Sequence, residues 1–214
     1  MDEAGESPKV VEKSPEVLAK AKIKEINVPG TFAYVTTTDL LPRILKDGII
    51  SASFAKKAKR PYEMRWEKQS DPSRVYVAEL KGKPGPEEFD SLEKLAIAIG
   101  HPEDATSIVV IILKPELGKK IIGSNYDAEI IRYRISPDYF EGIAVGGSWE
   151  PASYDYLPQR ETITSLTKDR HLIRRLRDQV VEQMQQAFSG QPDRFLPVYD
   201  LNGKVLWPPR KTLK

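Results

Sequence analysis

The sequence predicts an α+β fold in which short strands alternate with helices and a helical and hairpin extension closes the chain. Three observations carry that prediction. Stretches rich in β-branched, aromatic or aliphatic residues recur at 31–37, 74–78, 107–113, 128–135 and 143–145, each of strand length. Helical patterns separate or follow them, at 39–46 and 87–99. A long amphipathic helix is expected at 164–188, where Leu172, Leu176, Val180, Met184 and Phe188 recur every fourth residue on one face.

Taken in order, residues 1–28 carry two Ser-Pro pairs and few large apolar side chains, which predicts a mobile arm with one short helix at 16–24. The strand at 31–37 leads into the helix at 39–46. Thr37 or Thr38 can cap that helix, Pro42 sits in its first turn, and Gly48 stops it. Residues 51–73 are polar and basic, and a connection of that length is either functional or partly helical. The helix at 87–99 ends at Gly100. The six aliphatic residues Ile108 to Leu113 form a strand central in a sheet. Pro137 closes the strand at 128–135, and a one-turn element at 138–141 precedes the strand at 143–145. Asn202-Gly203, between Phe195–Asp200 and Val205–Pro209, marks a small hairpin.

Composition excludes several chemistries. The 214 residues contain no cysteine, which removes disulfide frameworks, thiolate metal sites and thiol nucleophiles. With only His101 and His171, multi-histidine metal centres are disfavoured, and no metal is expected. Phosphate-loop, dinucleotide-fingerprint, zinc-protease and nucleophile-elbow motifs are absent. The acidic start lacks the apolar stretch of a secretory signal, and no run approaches the about 20 apolar residues of a membrane span. A soluble protein is expected, cytoplasmic or delivered into a target-cell cytosol. The formal charge of +2 divides unevenly: residues 151–214 hold 11 basic against 7 acidic residues, concentrated around Arg170, Arg174, Arg175 and Arg177. Such a helix face either docks nucleic-acid phosphates or is simply solvated.

Three stretches carry a family resemblance. They are Phe32-Ala33-Tyr34-Val35-Thr36-Thr37 with the following helix ending in Lys46-Asp47-Gly48, Val75-Tyr76-Val77-Ala78 with the helix ending at Gly100, and Asp127-Ala128-Glu129-Ile130-Ile131 followed by Ile135-Ser136-Pro137 and Gly142 to Val145. In order and spacing these resemble the motifs of the ADP-ribosyltransferase superfamily, over residues 30–146. The first and third most resemble DarT-type toxins, which modify thymidine in single-stranded DNA. The resemblance implies a split antiparallel β-sheet core at 29–150 with flanking helices, the arm at 1–28 preceding it and the basic extension at 151–214 following. It implies a mono-ADP-ribosyltransferase of bacterial toxin or effector type, with NAD+ as substrate. ADP-ribose would pass to a DNA, RNA or protein acceptor, and a cognate immunity or antitoxin protein would be a partner.

Cleaving the nicotinamide–ribose bond develops an oxocarbenium-like cation and releases a neutral base, so one fixed carboxylate suffices. By the resemblance Glu129 is that catalytic carboxylate; otherwise it is a solvent-facing residue of an edge strand. Asp127 would orient the acceptor or serve as a turn residue. Tyr34 stands where the family carries His or Arg against the NAD+ ribose, and is either a ligand contact or a core aromatic. Thr36 would bond the adenosine side or pack within the strand, and Tyr76 would stack on nicotinamide or be a half-buried strand aromatic. Arg60 and Arg65 would hold the pyrophosphate, or belong to a solvated loop. Two other functions remain open: a binding module that has lost NAD+ chemistry, and a metal-independent nuclease toxin using His171.

Overall fold

The computed structural model describes residues 14–51, 53–54, 73–81, 90–99, 108–125, 128–146 and 169–209. Ser14 opens helix α1 (Pro15–Ala21) by accepting a hydrogen bond from the Val17 amide, and Pro15 takes the first turn, where a missing N–H is no loss. Strand β1 (Phe32–Thr37) follows, then helix α2 (Leu41–Asp47), which begins two residues later than predicted. Neither threonine caps it. Leu40 is its N-cap, the Thr37 hydroxyl donates to the Asp39 carboxylate, and Thr38 is buried. Gly48 ends α2 as expected, at φ 85°.

Strands β2 (Ile49–Ile50) and β3 (Arg74–Glu79) precede helix α3 (Leu92–Ile99) and the aliphatic strand β4 (Ile108–Leu113). After β5 (Gly123–Asn125), the expected strand at 128–135 is two strands, β6 (Ala128–Arg132) and β7 (Arg134–Ile135). Tyr133 breaks it, its φ of 63° turning the chain so that β6 pairs with β3 while β7 pairs with β2. Strand β8 (Phe140–Val145), helix α4 (Arg170–Ala187) and the hairpin strands β9 (Val198–Asp200) and β10 (Val205–Trp207) complete the described chain.

Eight strands form one mixed sheet in the order β10-β9-β8-β4-β1-β3-β6-β5, and β2 and β7 form a separate two-stranded ladder. The large sheet is antiparallel throughout except where β9 runs parallel to β8. All six side chains of β4 are at most 1% exposed, which explains why that segment has no polar alternation. Its Val109, Ile111 and Leu113 enter a core covered by α2 and α4, and Ile108, Val110 and Ile112 enter a second core covered by α3. Helices therefore lie on both faces. At about 1.5–3 kcal/mol for each fully buried large aliphatic side chain, these two layers dominate the stability.

The ends of the described chain belong to this core. A mobile arm with one short helix is the expectation over 1–28; of it, residues 14–28 pack, with Ala19 0% and Ile26 1% exposed. The Asn27 side chain ties two elements together, donating to Leu201 O and accepting from the Leu92 amide, both at 2.9 Å. The Lys22 ammonium donates to the carbonyls of Asp193 and Phe195. Likewise, residues 169–209 are no appendage. Strand β9 extends the sheet, and Tyr199 is wholly buried, its hydroxyl accepting from the Lys24 amide at 3.1 Å.

Candidate functional site

Strand β1 behaves differently on its two sides. With β4 it pairs along its whole length, from Phe32–Leu113 to Thr37–Ile108. With β3 it pairs only at Phe32–Glu79 and Ala33–Ala78. Beyond those two pairs β3 is bonded to β6 instead, from Val77–Glu129 to Arg74–Arg132. The sheet thus divides just past Ala33 and Ala78. One branch carries β1, β4 and β8, and the other carries β3, β6 and β5.

Tyr34 is the first residue of β1 past the last shared pair. It is partly buried, packs against the core under α2 and α4, and lines a small cleft of about 40 Å³. The cleft's other walls come from Leu40, Arg43 and Ile44 of α2 and from Gly48, Ile49 and Ile50. Alternation along β1 puts Thr36 on the same side as Tyr34. Thr36 is 7% exposed, and its buried Oγ1 has no hydrogen-bond partner among the described residues. Nearby, Gln183 of α4 donates to Thr38 O at 2.8 Å and leaves its own buried Oε1 unmet.

Glu129 occupies the register position opposite Val77 on one side and Ser124 on the other. Its strand is therefore interior to the branch, so the edge-strand alternative does not hold. Val77 is the first residue of β3 past the shared pairs, so Glu129 and Tyr34 stand at the same level on the two branches.

Tyr76 does not join them. Val75 and Val77 enter the core that Tyr34 packs against, whereas Ala78 and Leu80 enter the opposite one. Strand alternation sends Tyr76 to the side of Ala78 and Leu80, away from Tyr34. Its place on β3 is that of a half-buried strand aromatic on the face opposite Tyr34. A one-residue offset suffices, because every step along a strand reverses the face. Asp127, Arg60, Arg65 and His101 lie outside the described residues.

On α4, Arg170, Arg174 and Arg175 are exposed. Arg177 is not part of a free basic face: it pairs with Asp178 at 2.6 Å and lines a 370 Å³ groove with Glu16, Glu182 and Trp207. His171 is exposed in the first turn of α4, its amide donating to the N-cap Asp169 carboxylate. Among the described residues no three Asp, Glu or His side chains cluster as metal ligands, and no helix is long and apolar enough to cross a membrane.

Sequence reasoning passed over Arg43. The signal was its place beside Leu40 and Ile44, at the border of the apolar face of α2. What the sequence could not show is that its guanidinium Nη1 is buried without an acceptor, and that no carboxylate pairs with it among the described residues. No protein-family model matches the chain, and no curated protein is similar enough to count as a relative.

Proposed function

We propose that this chain is a mono-ADP-ribosyltransferase that cleaves NAD+ at the mouth of the divided sheet. The observation that carries the reading is the register: Tyr34 and Glu129 stand at the same level on opposite branches, just past the last pairs that join β1 to β3. A dinucleotide bound there would have its ribose between the branches. Glu129 would hold the ribose 2′-OH and stabilise the positive charge that develops as the glycosidic bond breaks. Nicotinamide departs as a neutral molecule and needs no proton donor. Tyr34 would contact the nicotinamide ribose, and the unmet Thr36 hydroxyl has spare hydrogen-bonding capacity on the same side of β1. The exposed Arg170, Arg174 and Arg175 suit a nucleic-acid acceptor, because no carboxylate pairs with them among the described residues. Tyr76 has no part in this version of the site.

Incubation with NAD+ labelled in the adenosine half, with and without single-stranded DNA, RNA or protein, tests the proposal. Nicotinamide release is expected, and Glu129→Gln should reduce it at least about 100-fold, the scale of losing one preorganised electrostatic stabiliser. Label retained on a macromolecule marks transfer, and free ADP-ribose marks hydrolysis. Equal release by wild type and Glu129→Gln removes the assignment.

A second reading, a binding module without NAD+ chemistry, is favoured by one observation: Tyr76 lies on the wrong side of β3 to stack where Tyr34 points. No NAD+ binding in calorimetry, with saturable binding to a protein or RNA, would select it.

A further inference from the structure

Arg43 presents a charge problem that the fold leaves unsolved. Its Nη1 is buried and meets no hydrogen-bond acceptor, and the guanidinium has no ion-pair partner among the described residues. Folded proteins rarely keep a buried cationic donor unmet, since the donor has given up water and received nothing in return. Arg43 also lines the cleft beside Tyr34, whose remaining walls include Leu40, Ile44, Ile49 and Ile50. No acidic residue among the described ones lines it, so its lining holds one cation, one tyrosine and apolar surface. At about 40 Å³ the cleft is small.

We infer that Arg43 is an anion-binding residue and that the cleft receives a phosphoryl group, with the Arg43 guanidinium as its counter-charge. The planar fork of arginine matches two phosphate oxygens, and the low-dielectric walls strengthen the pairing. That this group is a phosphate of NAD+ rests on the transferase reading above; that the cleft binds a phosphoryl anion does not. On the transferase reading, Arg43 of α2 takes the pyrophosphate role that the sequence suggested for Arg60 and Arg65.

The experiment uses the full chain, with inorganic pyrophosphate and acetate as probes at constant ionic strength, followed by calorimetry and thermal unfolding. Wild type should bind pyrophosphate saturably and melt at a higher temperature in its presence, while acetate binds at least 10-fold more weakly. Arg43→Met keeps the aliphatic stem and should lose pyrophosphate affinity at least 10-fold. Arg43→Lys, which retains charge without the fork, should fall between the two. Without ligand, Arg43→Met should be at least as heat-stable as wild type, because it removes a buried, unmet donor. A less stable Arg43→Met would make the arginine a structural residue and overturn the inference. So would equal pyrophosphate affinity in wild type and Arg43→Met, no binding by wild type, or acetate binding as tight as pyrophosphate. The two proposals fail separately. Arg43-dependent pyrophosphate binding without nicotinamide release sinks the transferase reading alone. Glu129-dependent release with an unchanged NAD+ KM in Arg43→Met sinks the NAD+ phosphate assignment alone.

Discussion

At the scale of single residues, backbone conformation decides as much as side-chain chemistry. Gly48 is the clearest case. It ends α2 at φ 85°, and a Cβ there would sit 2.2 Å from the carbonyl oxygen of Ile135, in the ladder that joins β2 to β7. Backbone cannot retreat as a flexible side chain can. Gly48→Ala should therefore lose about 2–5 kcal/mol, combining strain at positive φ with overpacking. Gly190 has a similar φ of 74° but nothing within 4 Å of its Cβ position, so Gly190→Ala should lose only about 1 kcal/mol. Urea denaturation of the two variants separates these terms, and equal losses would show that the close approach at Gly48 is unimportant. The glycine after the 39–46 pattern was legible as a helix stop. Its contact with Ile135 was not, because Ile135 arrives from 87 residues further along the chain.

Among the elements, α4 shows how far periodicity carries. The apolar repeat placed Leu176, Val180, Met184 and Phe188 on one face, and all four are buried against the sheet. Met184→Ala should destabilise by about 2–5 kcal/mol, as large-to-small changes in a packed core do. Arg174→Ala, on the exposed side, should stay within about 0.5 kcal/mol of wild type. Thermal and chemical denaturation of both variants checks the orientation of the helix, and a reversed ranking would contradict it. Strand 128–135 shows where periodicity fails. Its composition is continuous, and nothing local marks the positive φ of Tyr133 that turns it from β3 toward β2. The start of helix α2 is likewise not legible in the local sequence. Two threonines had the right chemistry for a cap, but Thr38 is drawn into the core, where Gln183 of α4 takes its carbonyl.

For the whole molecule, the ends of the described chain finish the core rather than decorate it. Removing residues 195–214 would delete β9 and β10, strip away buried Phe195, Leu196, Val198 and Tyr199, and expose the edge of β8. Such an edge invites pairing with other chains. The truncated protein should lose its cooperative unfolding transition and elute as aggregates in size-exclusion chromatography. A monomer with a cooperative melt would show that residues 1–194 fold without β9 and β10.

The sequence by itself determined the α+β class, most of the strands and helices, the α2 stop and the C-terminal hairpin. These depend on side-chain periodicity and turn residues, which act over a few neighbours. Only the tertiary structure decided which faces meet. Strand register is set by partners distant in the chain, and a shift of one residue reverses every side chain. That is why Tyr34 and Tyr76, both placed on strands from sequence, come out on opposite faces. It is also why Arg43, one more basic residue in a short helix, proves to bury a guanidinium nitrogen that meets no acceptor among the described residues.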